Sequence, residues 1–153
     1  MNKEKIAVSA CLLGYNCKYN GGNNKNNSVL AYIKDKEYIL VCPEVLGGMP
    51  VPREPSEIEV GCTGIDICKD SKNKVISKNG DDVTEYFSKG AIKTLELIKQ
   101  NGIKKAILKE SSPSCGVNII YTGEFNGQKK KGEGVTTALL RENGIEVMSE
   151  KDI

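Results

Sequence analysis

Short continuous apolar runs alternate along this chain with stretches of helical spacing, and that alternation sets the expected architecture. Ile6-Ala7-Val8-Ser9-Ala10 reads as a buried strand at about residues 5 to 10. A loop rich in Gly and Asn follows. A short helix is then expected from Asn27 or Ser28, with Val29, Leu30 and Ile33 facing inward. Tyr38 to Cys42 supplies the second strand. Pro43 to Glu59 holds four prolines and the pair Gly47-Gly48, so an ordered loop is expected there and a long helix is excluded.

Ile65 to Ile76 reads as a small hairpin turning at Asp70 to Asn73. Asp82 and Glu85 have capping-box spacing. Val83, Phe87, Ala91, Leu95 and Ile98 then form one helical face, with Gly102 as the stop. The third core strand is about Lys104 to Lys109. Val117 to Phe125 suggests another antiparallel excursion, with Lys129-Lys130-Lys131 at its solvated tip. A last helix, about Val135 to Asn143, ends at Gly144, and Glu146 to Met148 make a final strand. The class is α/β. The expectation is a single Rossmann-like three-layer domain over residues 1 to 153, with a mainly parallel sheet of about four strands and β-hairpin insertions.

Composition narrows the function more than the fold. The net charge of +2 does not support a large nucleic-acid surface or a membrane surface. The first apolar stretch lacks a signal-peptide pattern and no segment is long enough to span a bilayer, so a cytoplasmic location and no membrane partner are expected. A monomer or weak homodimer is expected. The chain contains no histidine. Serine–histidine and cysteine–histidine catalysis and imidazole-ligated zinc are therefore excluded. Any proton acceptor must be Glu, Asp, Lys, Tyr, Cys or a metal-bound water.

Six cysteines in a reducing compartment read as thiols or metal ligands more readily than as a disulfide framework. Three of them stand where an expected strand gives way to a loop. Cys11 closes the first strand, Cys42 closes the second, and Cys115 follows the third after Ser111-Ser112-Pro113-Ser114. The carboxyl ends of parallel strands form one edge, where ligands bind. A lone Cys in an apolar strand is a small buried hydrophobe, but three delivered to one edge suit a thiolate-held metal or cluster site. The paired spacing of a closed structural zinc site is absent. Cys17 lies near Cys11 and reads as a spare ligand or redox partner. For Cys62 and Cys68, a structural role and a reversible disulfide both stay open.

Around these cysteines stand the motifs Ser9-Ala10-Cys11-Leu12-Leu13-Gly14, Cys17-Lys18-Tyr19-Asn20-Gly21, Cys42-Pro43-Glu44-Val45, Gly47-Gly48 and Pro50-Val51-Pro52-Arg53. They continue with Leu108-Lys109, Ser112-Pro113-Ser114-Cys115-Gly116 and Gly132-Glu133-Gly134-Val135-Thr136. In these motifs, over nearly its whole length, the chain resembles a bacterial and archaeal family once known only as a domain of unknown function, the thiouracil desulfidases. Asn20 departs from the aspartate common before that glycine. The resemblance implies a [4Fe-4S] cluster held by Cys11, Cys42 and Cys115, whose free iron accepts sulfur from a small thiolated pyrimidine such as 2-thiouracil or 4-thiouridine, without net redox change. A thiolated tRNA substrate and a sulfur- or cluster-delivery module without turnover are the competing readings.

The remaining candidates each carry two readings. Glu44 is a general base for attacking water, or a loop carboxylate capping an amide. Ser112 and Ser114 bond substrate or cluster sulfurs, or stabilise their turn. Arg53 bonds a ring carbonyl, or forms a surface salt bridge. Gly134 and Thr136 bind substrate at the start of the last helix, or simply start it. Glu110 competes with Glu44.

Overall fold

A computed structural model describes residues 4–70 and 72–153. Along the chain run β1 (Lys5–Ser9), α1 (Asn27–Tyr32), β2 (Glu37–Val41), α2 (Pro43–Leu46), β3 (Ser56–Ile58), α3 (Gly64–Lys69) and β4 (Val75–Ser77). They are followed by α4 (Thr84–Gln100), β5 (Lys105–Leu108), β6 (Ile119–Tyr121), β7 (Lys129–Lys131), α5 (Val135–Glu142) and β8 (Glu146–Ser149). No helix among the described residues is long and apolar enough to cross a membrane.

Ile6-Ala7-Val8 of β1 and Ala106-Ile107-Leu108 of β5 are unbroken apolar runs because helices cover both of their faces. Ala7, Ala106 and Leu108 cluster with Ile98 of α4 and Leu140 of α5 on one side. Ile6, Val8 and Ile107 pack with Val29 of α1, and with Ile33 just after it, on the other. Each isoleucine, leucine or valine among these contributes roughly 1.5–3 kcal/mol on full burial. The four core strands are parallel, in the order β2-β1-β5-β8, as the α/β reading expects.

That order places the site. From β1 the chain builds to one side with β2 and to the other with β5, so the loops leaving β1 and β5 diverge. A crevice opens at that topological switch point, outside the carboxyl ends of the strands.

Two antiparallel pairs flank this frame, β3 with β4 and β6 with β7. Ile58, Ile67, Val75, Phe87, Ile120 and Val135 join them to the helices. The hairpin expected at Ile65 to Ile76 is not formed. Thr63 and Asp66 close a capping box that starts α3 at Gly64, with the Thr63 N–H donating to Asp66 Oδ2 at 2.8 Å. The Ile65/Ile67 alternation imitates a strand, yet Ile67 is buried at 4% exposure while Ile65 is exposed at 36%. Strand β4 pairs instead with β3, inside the segment expected to be loop. Ser71, in the expected turn, lies outside the described residues.

Two smaller differences have local causes. The Asp82 carboxylate does not close a box with Glu85. It accepts instead from Thr84 N–H at 3.0 Å and Thr84 Oγ1 at 2.6 Å, and the helix starts at Thr84. Lys129–Lys131 form β7 itself and are not a tip. Lys130 Nζ donates to the Cys62 carbonyl at 2.9 Å, so this lysine joins the β6–β7 pair to the segment between β3 and α3.

Candidate functional site

Cys11 sits in a 3-10 turn (Ala10–Leu13) directly after β1. Cys42 follows β2 and stands at the N-cap of α2. Cys115 closes the serine-rich turn after β5. All three are free thiols, and all three line one cavity of about 400 Å³ at the sheet's carboxyl edge. Cys17 lines it too.

Cys17 lies beside two of these sulfurs, and its carbonyl stands 3.9 Å from Cys42 Sγ. The neighbouring Cys17 thiol draws Cys11 down, and draws Cys42 down to about 7, against the opposing effect of burial. The same two neighbours push Cys17 up. Cys115 is pushed well up by its burial, with the charges of Cys42, Glu44 and Cys11 adding to the effect. Cys62 and Cys68 lie away from this group. Cys62 contacts Asn73 Oδ1 at 3.6 Å, and Cys68 contacts the Val135 carbonyl at 3.7 Å.

Glu44 stands two residues past Cys42, at the start of α2. Its Oε1 accepts from Arg53 Nε at 3.2 Å, and its Oε2 faces Ser112 Oγ at 3.5 Å. The pair is sheltered, with side-chain exposures of 5% for Arg53 and 18% for Glu44. A surface salt bridge is therefore the wrong description of Arg53. Arg53 Nη1 and Nη2 also donate to the carbonyls of Pro50 at 3.1 Å and Cys17 at 3.0 Å. The guanidinium thus fixes Glu44 and the Cys17 loop together.

Ser112 Oγ accepts the backbone N–H groups of Ser114 at 3.0 Å and Cys115 at 3.1 Å. It shapes the turn and lines the cavity at once. The structure does not bring Ser114, Gly134 or Thr136 to the cavity. Ser114 and Thr136 have no exposed surface, and their hydroxyls pair with each other at 2.9 Å. The amides that open α5 are engaged by the cysteine turn, Val135 N–H with Pro113 O at 2.8 Å and Thr136 N–H with Ser114 O at 2.9 Å. A Cβ on Gly134 would lie 2.4 Å from the Ser114 carbonyl. These three residues carry the Cys115 turn from behind, because close packing there leaves no room for a ligand.

Glu110 does line the cavity, but its carboxylate holds the same turn. It is 2% exposed. Its Oε1 accepts the N–H groups of Val117, Asn118, Ile119 and Ser111 at 2.6, 2.9, 3.2 and 3.3 Å. Burial pushes its carboxyl up, but these backbone donors outweigh it and hold the group below the ordinary range. A depressed carboxyl stabilises the fold above its unfolded pKa, and that contribution is lost as pH falls through the folded value. Glu110→Gln is therefore expected to cost about 1–3 kcal/mol at neutral pH. The gap to wild type should close in acid, as paired urea denaturations at the two pH values would read.

Among the described residues, no three Cys, Asp or Glu side chains converge as a single metal ion requires. The three-thiol set is soft and sulfur-only, and it presents its donors from three separate loops. That chemistry fits a polynuclear iron–sulfur group, whose irons stand at separate corners, better than a lone zinc. The cavity also has a wall absent from the sequence reading, made by Glu57 of β3 and by Tyr121 and Phe125 of the β6–β7 hairpin. No local motif marks these residues, since only the docking of the two hairpins brings them there.

Comparison with known proteins agrees with this geometry. The 2-thiouracil desulfurase family matches residues 6–152. The protein YbbK of Bacillus subtilis (strain 168) is 44% identical over 148 residues, 97% of each chain. The solved structure of TudS, a [4Fe-4S]-dependent thiouracil desulfidase, is 43% identical with a TM-score of 0.85, covering 99% of this chain and 93% of its own.

Proposed function

The chain belongs to the 2-thiouracil desulfurase family, and from that premise we propose that it hydrolyses the C=S bond of a thiolated pyrimidine base or nucleoside. The thiocarbonyl and one water give a carbonyl and hydrogen sulfide, with no net transfer of electrons. The observation that carries this reading is the shared cavity, in which Cys11, Cys42 and Cys115 stand beside the linked pair Glu44 and Ser112.

Cys11, Cys42 and Cys115 would hold a [4Fe-4S] cluster as thiolates. When bound, that group supplies a thiophilic, Lewis-acidic iron for the departing sulfur. The rest of the chemistry falls to the chain's own side chains. Glu44 Oε2 accepts the proton of the water that attacks the ring carbon, and later returns it to the leaving sulfide. Ser112 Oγ orients that water from the neighbouring position. Arg53 supplies the counter-charge that holds the carboxylate in place. Cys17, beside Cys11 and Cys42 in the cavity, serves the ligands as an outer partner.

A cavity of about 400 Å³ suits a free base or nucleoside. The net charge of +2 is small for a protein that grips tRNA. We place the reaction in the cytoplasm, in one domain acting as a monomer or weak homodimer. The test is turnover of 4-thiouracil by anaerobically reconstituted protein in ¹⁸O-labelled water. Each sulfide released should accompany one labelled oxygen in the uracil. A product without label, or no sulfide release, would overturn the hydrolytic reading.

A further inference from the structure

The cavity wall formed by the thiols, Glu44 and Arg53 is polar. The hairpin wall is aromatic. Phe125 is held there in an unusual way. Its φ is 54°, in the left-handed region that bulky side chains rarely occupy. Glu57, 9% exposed, directs Oε1 at the N–H groups of Gly123 at 2.8 Å and Phe125 at 3.3 Å. Gly123 brings the hairpin backbone against the end of β3, where a Cβ would lie 2.6 Å from the Ile58 carbonyl oxygen. A buried carboxylate, a close backbone approach and a left-handed phenylalanine thus converge at one half-buried ring. Strain that the surroundings over-determine in this way clusters at functional sites. Glycine would adopt the same backbone freely, so the fold itself does not call for the ring.

We propose that the Phe125 ring stacks on the face of the thiopyrimidine and that Glu57 is the positioning residue that holds it there. This rests on the desulfidase reading and names how the base is gripped. A planar heteroaromatic ring offers two π-faces that polar groups in its plane leave bare, and an offset aromatic contact covers one of them.

The test uses the reconstituted holoenzyme and 4-thiouracil. Phe125→Gly relieves the left-handed strain, so it should fold with an unchanged or higher Tm. Its KM should rise about tenfold, the size of one lost base–aromatic stack, while kcat holds. Phe125→Tyr should restore KM. Glu57→Ala should reproduce the KM rise, and adding Phe125→Gly to it should raise KM no further. Calorimetric Kd values for 4-thiouracil should follow the same order. An unchanged KM and Kd in Phe125→Gly would overturn the stacking role while leaving the desulfidase reading intact. A wild type that binds 4-thiouracil but releases no sulfide would strike the desulfidase reading, and the Kd series would still decide the ring. A wild type that does not bind 4-thiouracil would overturn both.

Discussion

Serine at any one of Cys11, Cys42 or Cys115 is expected to lower sulfide release by at least about a thousandfold, well beyond the roughly 10–100-fold that follows loss of an outer partner. The three thiols come from loops after three different strands, and only the loop of Cys11 carries another cavity cysteine, Cys17. Serine matches cysteine in shape, and the helices, the sheet and the apolar clusters around it stay intact. Circular dichroism should therefore show a folded chain in each variant. Cys17→Ser is the informative contrast. It lines the cavity with Cys11 and Cys42, while its carbonyl is held by Arg53. Removing it weakens an outer contact, and activity should fall only by the smaller factor. A loss at Cys17 as deep as at the other three would make it a ligand and would change the assignment.

Glu44→Gln is expected to reduce kcat by about 10²–10⁴-fold, the usual worth of one general acid–base group. The amide keeps the size of the side chain and can still accept from Arg53. Iron content should therefore match wild type, which separates a lost proton acceptor from a lost cluster. Steady-state sulfide release together with iron analysis of the same preparation makes that distinction. A kcat within a few-fold of wild type, by contrast, would move the proton-accepting role away from Glu44. Glu110 is no substitute, because four backbone N–H groups engage its Oε1 and the Asn118 side-chain amide engages its Oε2.

The parallel core was legible because strands buried on both faces read as unbroken apolar runs, and Ile6-Ala7-Val8 is such a run. Helix α4 was legible from the spacing of Phe87, Ala91 and Ile98, all buried in the fold. What failed was short and local. Residues 64–69 look alternating, but a Thr63–Asp66 capping box decides their conformation. Strand β3 lies hidden in a proline-rich stretch because it has three residues and owes its form to pairing with β4.

At the site, chain position alone brought Cys11, Cys42 and Cys115 to one edge, since parallel strands deliver their carboxyl ends together. Glu44 and Ser112 came with them, each within three residues of a cysteine. Ser114, Gly134 and Thr136 belong to the same sequence motifs, yet their role is decided by which way the turn faces. One side of that turn lines the cavity and the other packs on α5. Motif spacing does not encode that direction. The aromatic wall is further still from local reach, because Glu57 and Phe125 are separated by 68 positions and meet only through hairpin docking.

The most direct test of the central claim is the iron and acid-labile sulfide content of anaerobically reconstituted protein, measured on wild type and on the Cys11→Ser, Cys42→Ser and Cys115→Ser variants. Wild type should hold four irons and four sulfides per chain, the content of a [4Fe-4S] cluster, with each variant losing most of both. A colourless wild type that binds zinc or nothing, or three variants that load as fully as wild type, would contradict it.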